Sequence, residues 1–215
     1  MADIERPGAG HWVPDGGGIT ALRAAAPACR GCELWADATQ VVFSSGDSRA
    51  RLMLVGEQPG DQEDRQGEPF VGPAGRVLAE ALDAAGIERD AVYLTNAVKH
   101  FRHHLDGRGK RRIHDKPAVA HIQACRPWLA AELADVRPRV VVCLGATAGR
   151  AVLGRTVRIQ AERGRVIAAE GDGPDVVITT HPSALLRLRG EPGWEEALDG
   201  FVGDLEVAWR AAQAG

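Results

Sequence analysis

Four short apolar runs, each closing on a polar or glycine-containing turn, constrain this chain more than any other feature. They are ARLMLVGE (50–57), AVYLTNAVK (91–99), RVVVCLG (139–145) and the start of DVVITTHPSALL (175–186). Continuous apolar runs with β-branched character suit strands buried on both faces, as in a parallel sheet. Segments of helical spacing lie between them. GRVLAEALDAAG follows Pro73, placed as the first residue of a helix, and Gly86 stops it. Further helices are expected through Ala26 with Thr20 as cap, from Pro117 to about Val136, over ATAGRAVLG, and from about Gly193 to Ala212. GRVIAAE suits a hairpin or edge piece. The alternation predicts a three-layer α/β/α fold around a central, mostly parallel, four-stranded sheet.

In such sheets the ligand crevice lies beyond the carboxyl ends of the strands. Those ends carry Glu57-Gln58-Pro59-Gly60, Asn96, Gly145-Ala146-Thr147 and His181-Pro182-Ser183. The segment from Gln58 to Gly72 reads as a long polar loop, a frequent mark of function. A second loop, KHFRHHLDGRGKRRIHDKP (99–117), holds seven of the 26 Lys/Arg and four of the seven His against two acids. A solvated face explains such a loop. So does a grip on an anion with one His doing chemistry.

Net charge of −3 gives no global sign of a nucleic-acid or membrane partner, so any basic footprint is local. Residues 1–18 are polar and rich in Gly and Pro. They read as a flexible tail, with 19–215 as a single domain. No apolar leader and no run of about 18 apolar residues is visible, which points to a cytoplasmic protein without a membrane partner. There Cys29 and Cys32 of CRGC suit metal binding or redox chemistry better than a structural disulfide. Cys143, mid-strand, reads as a small buried hydrophobe.

GEQPGDQED, GEPFVGPAGR, LTNAVK and THPS together resemble the uracil-DNA glycosylase superfamily in its iron–sulfur, family 4-like branch, from about Cys29 to the C-terminal helix. KRRIH, after TNAVKH, resembles the UdgX-type subgroup, whose members become covalently joined to uracil-containing DNA through the His of that motif. The resemblance implies a 4Fe–4S cluster held by Cys29, Cys32, His100 and Cys125, with His at position 100 where much of the branch has Cys. Imidazole can replace thiolate at such centres. The same Cys₃His set also suits Zn.

The resemblance also implies the rim's roles. Asn96 would pair with uracil O4 and N3–H, and Phe70 would stack on the base. Taken alone, the two suit a turn-stabilising amide and a core ring. Asp64 would crowd the pyrimidine 5-position. His181, otherwise a cap for the turn before Ser183, would donate to uracil O2 as negative charge develops. Glu57 would orient water or support His114, whose neutral imidazole is a nucleophile at pH 7. Lys110 and Arg111 would clamp the DNA backbone, and Arg112 would hold the loop closed. His103 and His104 read as solvated. Gln58 stands where many relatives have Ala and is expected to lock the loop by a hydrogen bond. The expected partner is uracil-containing DNA, single-stranded favoured, with free uracil as product and a monomeric protein.

Overall fold

A computed structural model describes residues 6–107, 109–169 and 171–214. Its strands are β1 (Ser44–Gly46), β2 (Leu52–Gly56), β3 (Val92–Asn96), β4 (His103–Leu105), β5 (Arg112–His114), β6 (Val140–Leu144), β7 (Val166–Ile167) and β8 (Asp175–Thr179). Its helices are α1 (Gly18–Ala25), α2 (Leu34–Asp37), α3 (Asp61–Gln66), α4 (Pro73–Ala84), α5 (Val119–Val136), α6 (Ala146–Leu153), α7 (Ile159–Glu162), α8 (Pro182–Leu186) and α9 (Trp194–Gln213).

Among the described residues the main sheet has six strands in the order β1-β3-β2-β6-β8-β7. The four expected strands form its parallel centre, and β1 and β7 add antiparallel edges. Successive side chains point to opposite faces, and both faces are covered. Met53, Val55, Tyr93, Val141, Cys143 and Ile178 pack into one core with residues of α1, α5 and α6. Leu52, Leu54, Val92, Leu94, Val142 and Val177 pack into the other with α4 and α9. This two-sided burial explains why the strands read as apolar runs.

Several segments differ from expectation. The long segment from Gln58 to Gly72 contains α3, an all-polar helix. Glu63 ties its ends, accepting from Gly60 N at 3.1 Å and from Gly72 N at 2.7 Å. The basic loop is a two-stranded hairpin, β4 against β5, with His103 opposite His114 and Leu105 opposite Arg112. Thr20 lies inside α1, whose N-cap is Gly17. Within the segment expected to be a tail, Ala9–Trp12 form a 3-10 turn with Ala9 buried, and Gly8 N–H donates to Gly31 O.

Candidate active site

The carboxyl ends of the four central strands converge. Asn96 ends β3 in register with Gly56, the last residue of β2. Glu57 follows Gly56, and its carbonyl accepts from Val98 N–H, which fixes the backbone there. Gly56 matters for space: a Cβ there would meet Asn96 Oδ1 at 2.3 Å and Phe70 Cζ at 2.7 Å. The bare Cα therefore lets the amide and the ring meet over the strand end. Phe70 holds a left-handed backbone at φ 57°. Such strain persists only where surroundings impose it. Arg89 Nη2 donates to Pro69 O and Phe70 O at 3.3 Å. Gly75 lies so close to Phe70 that a Cβ there would meet its carbonyl at 2.0 Å.

Glu57 faces two donors. His114 Nε2 lies 3.2 Å from its Oε1, and the Thr147 hydroxyl donates to Oε2. Burial opposes ionisation of Glu57. The His114 and Thr147 hydrogen bonds and the nearby His181 ring outweigh it, holding the carboxyl below its usual range. Thr147 was not assigned a role in the sequence, because only the convergence of β6 with β2 brings it to Glu57.

His181 caps α8. Its Nδ1 accepts from Ser183 N at 3.2 Å and lies 2.8 Å from Ser183 Oγ. With Nδ1 an acceptor, the neutral ring carries its proton on Nε2, which is free to donate. Burial pushes the His181 pKa down to about 4, so the ring is neutral at pH 7. Capping and donation thus use different nitrogens, and the two readings of His181 are compatible.

Gln58 fastens the hairpin. Its Oε1 accepts from Arg102 N at 3.2 Å, and its Nε2 donates to Arg102 O and Asp115 O, both at 3.1 Å. The two carbonyls consume both amide protons, so the 3.3 Å contact of Gln58 Nε2 with His114 Nε2 needs no third. His114 Nε2 can then carry a proton toward Glu57, leaving a lone pair on Nδ1. Phe101, buried beneath the hairpin, is a shared platform. His103 stacks on it at 4.9 Å, His114 tilts against it at 5.9 Å, and the Arg112 guanidinium sits 5.4 Å over it. His103 is therefore packed rather than merely solvated. His104 Nδ1 lies 2.9 Å from Asp115 Oδ2 at the surface.

Arg112 ties the hairpin to α3. It reaches Asp61 Oδ1 at 2.5 Å, Asp64 Oδ2 at 2.6 Å and Thr39 Oγ1 at 3.0 Å. Asp64 has no exposed surface, and its carboxylate is taken up by Arg112 and Thr39 N–H. It is placed as the counter-ion of Arg112, not as an open wall beside Asn96 and Phe70. The expected crowding of a pyrimidine by Asp64 thus finds no surface to act through. Lys110 and Arg111 are exposed near the hairpin turn.

Cys29, Cys32, Cys125 and His100 are all buried. Cys29 Sγ accepts from Trp128 Nε1 and Cys125 Sγ from Lys99 N, both at 3.3 Å. Burial pushes the Cys125 thiol up to about 12, and Cys32 and Cys29 add to the rise, so the three sulfurs share one apolar locale. Burial also lowers His100 to about 4, leaving a neutral imidazole. Thiolates crowded there need a positive partner, and N–H groups already point at two of the sulfurs. The donor set fits a soft metal group. Among the described residues no three His, Cys, Asp or Glu side chains are grouped to hold a single metal ion.

Carboxylate, amide and imidazole side chains thus meet at the carboxyl rim of a parallel sheet, where α/β proteins bind their ligands. The chain belongs to the uracil DNA glycosylase superfamily, whose family model matches residues 43–203, and its class is that of a glycosylase. It is 40% identical over 162 residues to the type-4 uracil-DNA glycosylase of Thermotoga maritima, covering 75% of this chain and 79% of the relative. It is 34% identical to the type-4 enzyme of Archaeoglobus fulgidus over 74% of this chain and 78% of the relative. It is 32% identical to the type-5 enzyme of Pyrobaculum aerophilum over 78% and 76%. No helix among the described residues is long and apolar enough to cross a membrane.

Proposed function

We propose that this enzyme recognises uracil in single-stranded DNA, breaks the N-glycosidic bond and becomes covalently joined to the deoxyribose through His114. The observation that carries the reading is the 3.2 Å contact between His114 Nε2 and Glu57 Oε1, on a hairpin fastened by Gln58 and Arg112. A base must leave the stack to be reached, which costs less in single strands. Asn96 then reads its edge and Phe70 stacks on its face. As the glycosidic bond breaks, its electron pair goes to uracil and the sugar gains oxocarbenium character. His181 Nε2–H stabilises the charge on O2. The ring nitrogen of His114 that does not face Glu57 gives its lone pair to the anomeric carbon. Glu57 holds the remaining N–H and balances the imidazolium, and uracil leaves as the anion to be protonated by water. Lys110 and Arg111 contact phosphate. Arg112 keeps the hairpin down through Asp61 and Asp64.

Cys29, Cys32, His100 and Cys125 would hold a 4Fe–4S cluster, which supplies a fixed structural centre joining the N-terminal segment to the base of the hairpin. Iron and sulfide analysis of the purified protein tests this; zinc without iron rejects it.

A second reading has Glu57 activating water for ordinary turnover, with His114 touching only phosphate. The hydrogen-bonded, ionised state of Glu57 favours it as much as it favours the first. Incubation with a single-stranded uracil oligonucleotide, followed by a denaturing gel, separates the two. A band stable to heat and detergent supports trapping. Free abasic DNA supports turnover.

A further inference from the structure

We infer that Thr147 is a positioning residue for the reaction: its hydroxyl holds the Glu57 carboxylate in the orientation and ionisation state that His114 requires. The inference rests on the role given above to Glu57.

The two oxygens of Glu57 are divided between two elements. Thr147, from α6, donates to Oε2, while Oε1 faces His114 on β5. A glutamate with one oxygen untethered can rotate about its last torsion and point either oxygen elsewhere. With Oε2 held, Oε1 stays aimed at the imidazole. Thr147 is itself fixed. It is buried as the second residue of α6, whose N-cap Gly145 is held at φ 94° with its N–H donated to Thr179 O. A Cβ at Gly145 would approach His181 Cβ to 3.1 Å, so the same turn seats Thr147 beside Glu57 and lets His181 close in from the cap of α8.

The hydroxyl also biases protonation. A threonine has one proton to give. Donated to Oε2, it stabilises the carboxylate, and a proton arriving at Oε2 would force the bond to reverse. The charged or titratable groups facing Glu57 are His114 and His181. Neither can replace Thr147: His181 has its own task at the base, and His114 must be free to move onto the sugar. Thr147 is then the one partner of Glu57 that stays in place throughout the reaction.

The test compares Thr147→Val, Thr147→Ser and Glu57→Gln in the full chain, reading single-turnover base loss and adduct formation from about pH 3 to about pH 8, across the ranges where carboxylates and imidazoles titrate. Val keeps the shape and removes the donor; Ser keeps the donor. Thr147→Val should lower the rates about tenfold or more, as expected for losing one hydrogen bond to a charged group, and move the acid limb of the profile to higher pH. Thr147→Ser should restore both to near wild type. Wild-type rate and limb in Thr147→Val, with Glu57→Gln impaired, overturns the role of Thr147 alone. Serine failing as badly as valine makes the residue a packing element and also overturns it. Unchanged rates in Glu57→Gln overturn the reading of Glu57 and this inference with it. If wild type releases abasic DNA without an adduct, trapping fails, and base loss still reads Thr147.

Discussion

Arg112 and Asp64 form a 2.6 Å ion pair that joins β5 to the interior of α3, with the carboxylate fully buried and the guanidinium largely so. Asp61 completes the clamp at 2.5 Å. The two elements are distant in sequence, and this pair fastens the hairpin to α3 beside the rim of the sheet.

Removing one partner of a buried pair strands the other charge, at a cost of about 3 kcal/mol or more. Arg112→Ala should therefore lower the melting temperature by about 6–12 °C in a chain of this size and abolish adduct formation. The double variant Arg112→Ala/Asp64→Asn should recover much of the stability but none of the trapping. A thermal melt and a denaturing gel on the same samples check both.

His181→Ala should slow single-turnover base loss by about 10²–10³-fold, the usual effect of removing one donor to a developing oxyanion. Ser183→Ala keeps the backbone N–H to Nδ1 and should cost far less. Equal losses in the two variants would show that the hydroxyl, rather than the ring's Nε2–H, carries the effect.

The same imidazole makes stability depend on pH. Its folded pKa, about 4, lies below the ordinary value of 6.5 because burial disfavours the cation. Between those values the unfolded chain binds a proton that the folded chain does not, so the contribution is complete above pH 6.5 and is lost as pH falls toward 4. Urea midpoints should fall over this window in wild type and fall less in His181→Gln. Glu57, whose carboxyl is held low, adds a loss of the same sign only in the more acidic range.

Gly56→Ala places a methyl where Asn96 Oδ1 and Phe70 Cζ stand, at 2.3 and 2.7 Å. Overpacking of this kind costs about 1–3 kcal/mol. Melting should show that loss, and base excision should fall further than stability alone explains, because the amide and ring are pushed apart.

How much could be read in advance follows from where the signals lie. The four central strands were legible because both sheet faces are covered, making Leu52–Gly56 or Val140–Leu144 continuous apolar runs. The rim followed from their ends. The β4–β5 hairpin was not legible: its strands are three residues each, largely polar, and held by Gln58 from another element. Helix α3 was hidden for a related reason. Asp-Gln-Glu-Asp-Arg-Gln has no apolar period, yet Glu63 and Asp64 are buried as internal acceptors for backbone N–H groups and Arg112. A residue pattern records hydrophobic burial well and records buried ion pairs poorly. The place of Asp64 beside the base is implied by the resemblance alone, and its pairing with Arg112, like that of Thr147 with Glu57, leaves no mark in the residue pattern. In the sequence Phe101 is one apolar residue in a polar stretch, and only the fold shows that its ring carries His103, His114 and Arg112.

The central claim is that His114 ends the reaction bonded to the sugar. Mass measurement of the full chain after incubation with a short single-stranded uracil oligonucleotide, followed by proteolysis and fragmentation, tests it directly. The account predicts a product heavier by the oligonucleotide less one uracil, with the attachment mapped to His114 and absent in His114→Ala. An unmodified chain beside free abasic oligonucleotide, or an attachment at another residue, would contradict it.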